Sequence, residues 1–347
     1  MPHANALYGP LDPAPDAGYE DAPPRMGFFT DTSVCIGCKA CEVACKEWNG
    51  VPQSGLDLLG MSYDNTGALT ANSWRHVAFV EQPRKTGRVT PAFEQEPAGP
   101  AVSPETAALG ALTSADTGTV PGLPPGSPAA AARMSGGPEF LGMPGSQPPG
   151  RGSGAEDRTD FRWLMMSDVC KHCTHAACLD VCPTGSLFRT EFGTVVVQED
   201  ICNGCGYCIS ACPYGVIDQR KDDGRAWKCT LCYDRLGAGQ TPACAQACPT
   251  ESIQYGPLDE LRERAAARVA TLHERGVPEA RLYGHDPNDG VGGDGAFFLL
   301  LDEAEVYGLP PDPVVTTRDL MAMWKRAGLA AVAMTAATVF AFLGRRP

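Results

Sequence analysis

The chain has 347 residues with 41 acidic and 28 basic side chains, and its formal net charge is −13. It therefore lacks the basic field that attracts nucleic acid, and we expect no nucleic-acid partner. Its 16 cysteines do not suggest disulfides, because thiols only two residues apart are poorly placed to join distant segments and the chain is no short secreted domain.

Residues 1–26 form an arm that is rich in proline, alanine and acidic residues and has no apolar run. This composition predicts a disordered or wrapping segment. The arm has neither a basic start followed by an apolar stretch nor a twin arginine, so we expect no signal peptide.

The cysteines fall into four groups, and none is left over. The groups are Cys35, Cys38, Cys41, Cys45; Cys170, Cys173, Cys178, Cys182; Cys202, Cys205, Cys208, Cys212; and Cys229, Cys232, Cys244, Cys248. Groups one and three run CxxCxxCxxxC and group two CxxCxxxxCxxxC, the three-plus-one spacing of bacterial ferredoxins, and proline follows the last cysteine of every group except the first. A structural zinc site, the main alternative, usually joins two CxxC pairs. The spacing therefore predicts four 4Fe-4S clusters with all the cysteines as iron ligands.

In the ferredoxin pattern the fourth cysteine of a run binds the neighbouring cluster. Only 19 residues separate the second and third groups, and they include the β-branched run 194–197, so these groups predict a compact two-cluster module flanked by the other two groups. The predicted ligand sets are Cys170, Cys173, Cys178 with Cys212; Cys202, Cys205, Cys208 with Cys182; Cys35, Cys38, Cys41 with Cys248; and Cys229, Cys232, Cys244 with Cys45. Pairing of the first group with the second, and of the third with the fourth, is also compatible with the sequence.

Composition divides the rest of the chain into segments. Residues 27–82 contain the first cysteine group and a strand-like run at 73–82, and are expected to form half of an outer module that residues 221–257 complete. Residues 161–220 are the inner module. The tract 83–160 is rich in proline, glycine and alanine and predicts a disordered insertion, because it cannot bury enough apolar surface to offset its ordering entropy.

Residues 258–319 predict a docking region that contains one helix and one strand. A surface helix is expected after residue 258, because four apolar side chains fall on one helical face: Leu261, Ala265, Val269 and Leu272. The apolar run GAFFLLLD at 295–302 has the length of a strand.

The last segment, 320–347, predicts a transmembrane anchor. Residues 327–344 carry no charge, and a helix of about 18 residues spans about 27 Å, close to the ~30 Å hydrocarbon core of a bilayer. A buried or amphipathic helix is the alternative, because the run is rich in alanine and threonine. Small residues favour packing against a partner's helices, and basic residues at both ends leave the orientation open.

Other residues give little indication of chemistry. There is no nucleophile with a base and no pair of carboxylates, and the turn at 291–295 lacks the setting of a nucleotide fingerprint, so the chain is predicted to act on no small-molecule substrate directly. His172 and His175 lie inside a complete cysteine group and are expected beside a cluster or exposed. Four further side chains are expected to pack or stay solvated: Tyr207, Tyr214, Trp227 and Lys228.

A resemblance to a known family is carried by five stretches: CIGCKACEVACKEWNG, CNGCGYCISACPYGV, KCTLCYDRLGAGQTPACAQACPTESI, GVGG and YGLPPDP. They resemble the iron–sulfur (beta) subunit of membrane-bound formate dehydrogenase, over residues 27–82 and 159–344. The resemblance implies an α+β fold of two ferredoxin-like two-cluster modules with loop-rich connections, plus one C-terminal transmembrane helix. It also implies a molybdenum- or tungsten-bispterin catalytic subunit that supplies electrons and a membrane cytochrome b that passes them to quinone.

The resemblance further implies a location at the cell membrane. The soluble part would be exported already folded on the signal of the catalytic partner, although a complex that faces the cytoplasm stays open. Two other functions stay open as well. One is the electron-transfer subunit of another molybdoenzyme or of a hydrogenase, and the other is a soluble polyferredoxin carrier.

Overall fold

A computed structural model describes residues 13–54, 63–64, 66–82, 162–317 and 320–343. The insertion predicted at 83–160 lies outside the described residues. The N-terminal arm is described from residue 13 onward, where Ala14 is buried and the Tyr19 hydroxyl donates to the main-chain carbonyl of Arg189 at 3.1 Å.

Short helices and strands follow one another along the described chain. The helices are α1 (Pro13–Asp16), α2 (Ala40–Asn49), α3 (Ala177–Asp180), α4 (Tyr207–Ala211), α5 (Tyr233–Gly237), α6 (Ala243–Gln246), α7 (Leu258–Glu274) and α8 (Leu320–Leu343). The strands are β1 (Met26–Asp31), β2 (Arg75–Gln82), β3 (Arg162–Val169), β4 (Leu187–Arg189), β5 (Val195–Val197), β6 (Asp218–Gln219), β7 (Ala226–Trp227), β8 (Ile253–Pro257), β9 (Arg281–Tyr283) and β10 (Ala296–Leu300). Single 3-10 turns occupy Thr32–Val34, Glu199–Ile201 and Ala304–Tyr307. The fold is thus a mixture of helices and strands, as the sequence predicts.

The largest sheet of the described structure has four strands in the order β8-β1-β10-β9. Strand β1 pairs in parallel with β10, and the outer strands pair antiparallel to them. Because successive side chains of a strand point to opposite faces, Phe29 packs with Leu261 and Ala265 of α7, whereas Phe28 packs in a core that contains cysteines. The helix and the strand predicted from residues 258–302 are confirmed as α7 and β10.

A second pair of strands carries the long insertion at its open end. Strand β2 confirms the strand-like run at 73–82 and pairs antiparallel with β3, from Arg75 opposite Val169 to Gln82 opposite Arg162. Gln82, immediately before the insertion, and Arg162, two residues after it, are therefore cross-strand neighbours, and a short turn suffices to connect them.

The cysteine groups lie on or beside the shortest helices. The first group enters α2 and the fourth enters α6, and these two helices pack together. The second and third groups enter α3 and α4, which form another packed pair. The hairpin β4-β5 connects the second group to the third, and β6-β7 connects the third to the fourth.

The chain ends in an apolar helix that stands away from the rest of the described structure. Within α8, Met323–Leu343 has a mean hydropathy of 1.7, and none of its most apolar window is buried. The length and composition of this stretch allow it to cross a membrane. Immediately before the helix, Val315 is buried against Ala177 and Val291, and the Thr317 hydroxyl donates to Asp180 at 2.6 Å.

We expect Gly27→Ala to destabilise the protein strongly, because a Cβ at this position of β1 would lie 2.2 Å from the Gly295 carbonyl oxygen. The backbone has to shift, and the free energy of unfolding should fall by about 1–3 kcal/mol or more. The matched control is Gly256→Ala directly opposite on β8, whose Cβ would meet only Leu261 at 3.8 Å. Thermal unfolding of anaerobically purified protein measures both, and equal midpoints for the two variants would contradict the packing described.

We also expect that residues 83–161 can be replaced by a two-residue Asn-Gly turn with little loss of bound iron. The turn closes the β2-β3 hairpin in its present register. A control variant that also lacks Arg162 shifts the pairing by one residue and turns each β3 side chain to the opposite face, so it should lose iron. The idea fails if iron analysis finds the same loss in both variants.

Candidate iron–sulfur sites

The structure brings the cysteines of groups one and four together. Burial raises the pKa of the Cys45 thiol well above its usual range, and Cys229, Cys244 and Cys232 are neighbours that raise it further. Burial likewise raises the pKa of Cys35, beside Cys248 and Cys38. We call Cys35, Cys38, Cys41 and Cys248 the first outer set, and Cys45, Cys229, Cys232 and Cys244 the second outer set.

Groups two and three are brought together in the same way. Burial raises the pKa of Cys173, whose cysteine neighbours are Cys212, Cys170 and Cys178. Burial raises the pKa of Cys208 to about 11, and its neighbours are Cys202, Cys182 and Cys205. We call Cys170, Cys173, Cys178 and Cys212 the first inner set, and Cys182, Cys202, Cys205 and Cys208 the second inner set.

Neighbouring cysteines connect the four sets in one series, which we call the line. The first outer set meets the second through Cys41 and Cys244. Cys229 of the second outer set is a neighbour of Cys170 in the first inner set, and Cys178 of the first inner set is a neighbour of Cys208 in the second. Cys38 and Cys205 are exposed, and they belong to the sets at the two ends of the line. Exposed apolar side chains accompany them in sequence, Ile36 and Val43 at one end and Ile201 and Tyr207 at the other.

One backbone feature recurs in all four cysteine loops. The residue immediately before the second cysteine is left-handed, with φ of 65° at Gly37, 47° at His172, 71° at Gly204 and 58° at Leu231. Left-handed residues curl a loop so that successive N–H groups face one concavity, a recurrent way of receiving anionic groups such as iron–sulfur clusters. His172 and Leu231 adopt this backbone without being glycine, at a cost of ~1–2 kcal/mol each. The sequence analysis named His172 without its backbone role and did not name Leu231, and only their position immediately before the second cysteine could have indicated this role.

Several sulfur atoms accept hydrogen bonds from the surrounding chain. The Leu231 N–H donates to Cys229 Sγ at 3.3 Å, and the Ala226 N–H donates to Cys202 Sγ at 3.4 Å. The Arg75 guanidinium donates through Nη2 to Cys244 Sγ at 3.2 Å. Donors of this kind stabilise the thiolate form that binds iron.

The donor sets fit clusters better than single metal ions. Within the described residues, no three His, Cys, Asp or Glu side chains converge on a position where one ion could bind. A 4Fe-4S cluster has no such requirement, because each thiolate binds a different iron atom. The spacing of the thiols, the curled loops and the sulfur hydrogen bonds all suit clusters, and sixteen cysteines fit four of them.

Two cations lie at the junctions between the sets. Lys228 was expected to pack or stay solvated. It is only 1% exposed, and its Nζ donates to the carbonyls of Val195 and Cys229. Arg75 was not singled out at all, although a charged residue at the start of an apolar strand is a signal that sequence reasoning could have used. It is only 2% exposed, and Cys244, Cys41, Cys229 and Cys45 are among its neighbours.

The histidines of group two lie beside the first inner set. His172 is buried and its Nδ1 accepts from the Val195 N–H at 3.1 Å. His175 is half-buried, and its main-chain N–H donates to the main-chain carbonyl of Val291 at 2.8 Å. That carbonyl belongs to the turn at 291–295, where Gly292 and Gly293 are left-handed. The turn therefore supports the cysteine loop through main-chain hydrogen bonds.

Comparison with known proteins agrees with this geometry. A family model described as a 4Fe-4S dicluster domain matches residues 161–258. The nitrate-inducible formate dehydrogenase iron-sulfur subunit of Escherichia coli (strain K12) is 31% identical over 342 residues, which cover 96% of this chain and 90% of that relative. The formate dehydrogenase iron-sulfur subunit of Haemophilus influenzae is 32% identical over 331 residues, which cover 93% of this chain and 80% of that relative.

The chain belongs to the family of formate dehydrogenase iron–sulfur subunits. The resemblance seen in its sequence is therefore confirmed. Part of the chain is also similar to the B subunit of the anaerobic dimethyl sulfoxide reductase of Escherichia coli (strain K12), at 46% identity over 109 residues, which cover 31% of this chain and 53% of that relative.

If each of the four cysteine sets binds one 4Fe-4S cluster, the anaerobically purified chain should contain about sixteen iron and about sixteen acid-labile sulfide atoms. Iron and sulfide analysis measures this directly. As an internal control, Cys205→Ala should lower each number by about four, because one end set then lacks a ligand. Stoichiometric zinc with little sulfide would show that the cysteines form a different kind of site.

Proposed function

We propose that this chain is the electron-transfer subunit of a membrane-bound formate dehydrogenase complex. It would receive electrons from a molybdenum- or tungsten-bispterin catalytic subunit and deliver them to a membrane cytochrome b, which reduces quinone. The observation that carries the proposal is the single line of four cysteine sets, with an exposed cysteine at each end.

In this proposal each outer and inner set binds one cluster, with Cys45, Cys182, Cys212 and Cys248 as the ligands that cross between groups. The proximity of each of these thiols to its predicted partners supports the assignment. The packed helix pairs α2-α6 and α3-α4 support two ferredoxin-like modules, one for each pair of groups. When bound, a 4Fe-4S cluster accepts and releases one electron at a time.

The residues of this chain fix the path that an electron follows. Tunnelling falls off steeply with distance, so the proximity of cysteines in successive sets would keep each step short. Burial of the thiols keeps water out of the path and lowers the local dielectric constant, which strengthens the effect of every nearby charge. Nearly all the cysteines are buried or half-buried, and the two exposed ones lie where an electron has to enter or leave.

We assign the second inner set to the membrane side of the complex and the first outer set to the side of the catalytic subunit. The contacts just before α8 support this assignment. Val315 packs against the second cysteine group, and Thr317 donates to Asp180, two residues before Cys182 of the second inner set. The transmembrane helix would therefore begin beside the inner sets, and its small residues suit packing against cytochrome helices.

The soluble part would lie on the outer side of the membrane, carried there folded with the catalytic subunit. Cluster insertion before export requires such co-transport, because a folded chain with bound clusters cannot be threaded through a pore for unfolded chains. The 258–319 region, which includes α7, would dock the chain on its partners, and the insertion at 83–160 would lie outside the electron path.

A second candidate is the equivalent subunit of another molybdoenzyme. The 46% identity to the B subunit of a dimethyl sulfoxide reductase over 109 residues favours it. We prefer the formate dehydrogenase function because the formate dehydrogenase relatives match nearly the whole chain. Purification of the chain with its large subunit, followed by assays with formate and with dimethyl sulfoxide, separates the two candidates.

We expect a chain that ends after Thr317 to keep its clusters and its catalytic partner but to leave the membrane. All cysteines precede residue 250, so the clusters should assemble. Formate-to-dye activity should remain near that of the full complex, whereas formate-to-quinone activity should be lost, because the electrons no longer reach the cytochrome.

The control replaces residues 327–343 by polyleucine, which anchors the chain without the small-residue surface. If quinone reduction needs specific docking, this variant should stay in the membrane with reduced activity. If the chain truncated after Thr317 remained in the membrane and reduced quinone at the original rate, residues 320–347 would not be the membrane anchor.

A further inference from the structure

Arg75 is a buried cation at the junction between the first and second outer sets. It stands at the start of β2, diagonally opposite Ser167 on β3, and alternate side chains of a strand share a face. Val77 and Val169, on the same face, pack in the core that contains the cysteines. The strand pair therefore directs Arg75 and Ser167 toward the sulfur atoms.

The contacts of Arg75 connect the two sets. Its Nη2 donates to Cys244 Sγ at 3.2 Å, in the second outer set. Its Nη1 donates to Ser167 Oγ at 3.2 Å, and that hydroxyl lies 3.2 Å from Cys41 Sγ, in the first outer set. Because the serine oxygen accepts from arginine, its own hydrogen is free to be donated to a Cys41 thiolate. Arginine and serine together thus bridge one ligand of each set.

The guanidinium has no carboxylate partner among the described residues. Its remaining contacts are the main-chain carbonyl of Ser167 at 3.2 Å and the ring of Phe28, 4.9 Å from the guanidinium carbon. Its Nε is buried and has no hydrogen-bond partner in the described structure. The acid on the neighbouring helix, Glu42, pairs with Lys39 and accepts from the Val77 N–H.

An unpaired buried charge is costly, and an arginine cannot reduce this cost by losing its proton. Lys171 shows how the same protein treats a buried cation elsewhere, because it forms an ion pair with Asp168. Arg75 therefore needs an anion that no carboxylate among the described residues supplies. Four thiolates around a 4Fe-4S cluster leave a net negative charge, and the Cys244 contact directs the guanidinium to such a group.

We propose that Arg75, supported by Ser167, is a positioning residue that raises the reduction potentials of the two outer clusters relative to the inner ones. The inference rests on the proposed function, because it assumes that the outer sets bind clusters. Reduction adds one negative charge, and a fixed cation in a buried, low-dielectric site stabilises the reduced form. The bridge through Ser167 extends the effect to Cys41 and hence to the first outer cluster.

The test is a redox titration of the complex, monitored by electron paramagnetic resonance, with Arg75→Gln, Arg75→Lys and Ser167→Ala. In Arg75→Gln the ratio of reduced to oxidised second outer cluster, at a fixed potential, should fall at least tenfold, which is about 59 mV for a one-electron couple. Arg75→Lys should lower the potential of the second outer cluster less, because lysine keeps the positive charge and loses only the paired N–H donors of the guanidinium. Ser167→Ala should lower mainly the first outer potential. The inner potentials should not move in any of them.

Two further variants show which electron paramagnetic resonance signal belongs to which cluster. Cys45→Ser should alter the signal of the second outer cluster, and Cys182→Ser should alter the signal of the second inner cluster. The matched control is Arg281→Gln, which removes a half-exposed arginine that pairs with Glu303 far from the cysteines in sequence. It should leave all four potentials in place.

Iron analysis separates the possible failures. A wild-type complex in which this chain holds far fewer than about sixteen iron atoms overturns the proposed function itself. A loaded wild type and a loaded Arg75→Gln with identical outer potentials overturn only the role of Arg75. If Arg75→Gln loses its outer clusters, its potentials cannot be measured, and the test then depends on Arg75→Lys and Ser167→Ala. Outer-cluster potentials that are unchanged in both of these variants would overturn the inference.

Discussion

The enclosure of most of its sixteen thiols within one protein is the constraint on which the rest of the structure depends. The largest apolar core includes six buried cysteines: Cys41, Cys45, Cys170, Cys208, Cys229 and Cys244. Burial raises the pKa of Cys41 to about 11 and that of Cys229 to about 12, so these groups are protonated thiols near neutral pH until iron binds. Cluster binding displaces those protons and occupies the space between the thiols, which couples folding to cluster assembly.

This coupling explains why the protein has two kinds of core. The sheet and α7 form an ordinary core, in which Phe29, Phe297 and Leu261 are at most 1% exposed, and its stability comes from apolar burial. The cysteine loops consist of short helices and turns that have little apolar surface of their own. They are held because Phe28 and Ala296 face them from the same two strands whose other face contacts α7. The ordinary core can thus position the loops before any cluster is bound.

Sequence reasoning predicted those features that local pattern determines. Cysteine spacing gave the four groups, apolar periodicity gave α7, and apolar runs of strand length gave β2 and β10. The features it missed depend on contacts between distant segments. Nothing near Arg75 in sequence indicates that Ser167 and Cys244 meet it, because β3 and α6 come after a long insertion. Leu231 adopts a left-handed backbone only because its loop has to curl around a centre that the sequence does not show.

The charge of the protein follows from the same coupling. The chain carries a formal charge of −13, and four clusters bound to thiolates would add further negative charge in its interior. Such a concentration of negative charge favours the oxidised state of every cluster, unless cations lie close to the sulfur atoms. Arg75 is buried between the two outer sets and Lys228 between the second outer and first inner sets, and no ion pair with a carboxylate is found for either within the described residues. At the ends, Cys38 and Cys205 are exposed beside apolar side chains. A docking partner would remove water there without burying an additional charge. The interior cations and the apolar ends therefore both limit the negative charge that accumulates around the clusters, at different positions along the line.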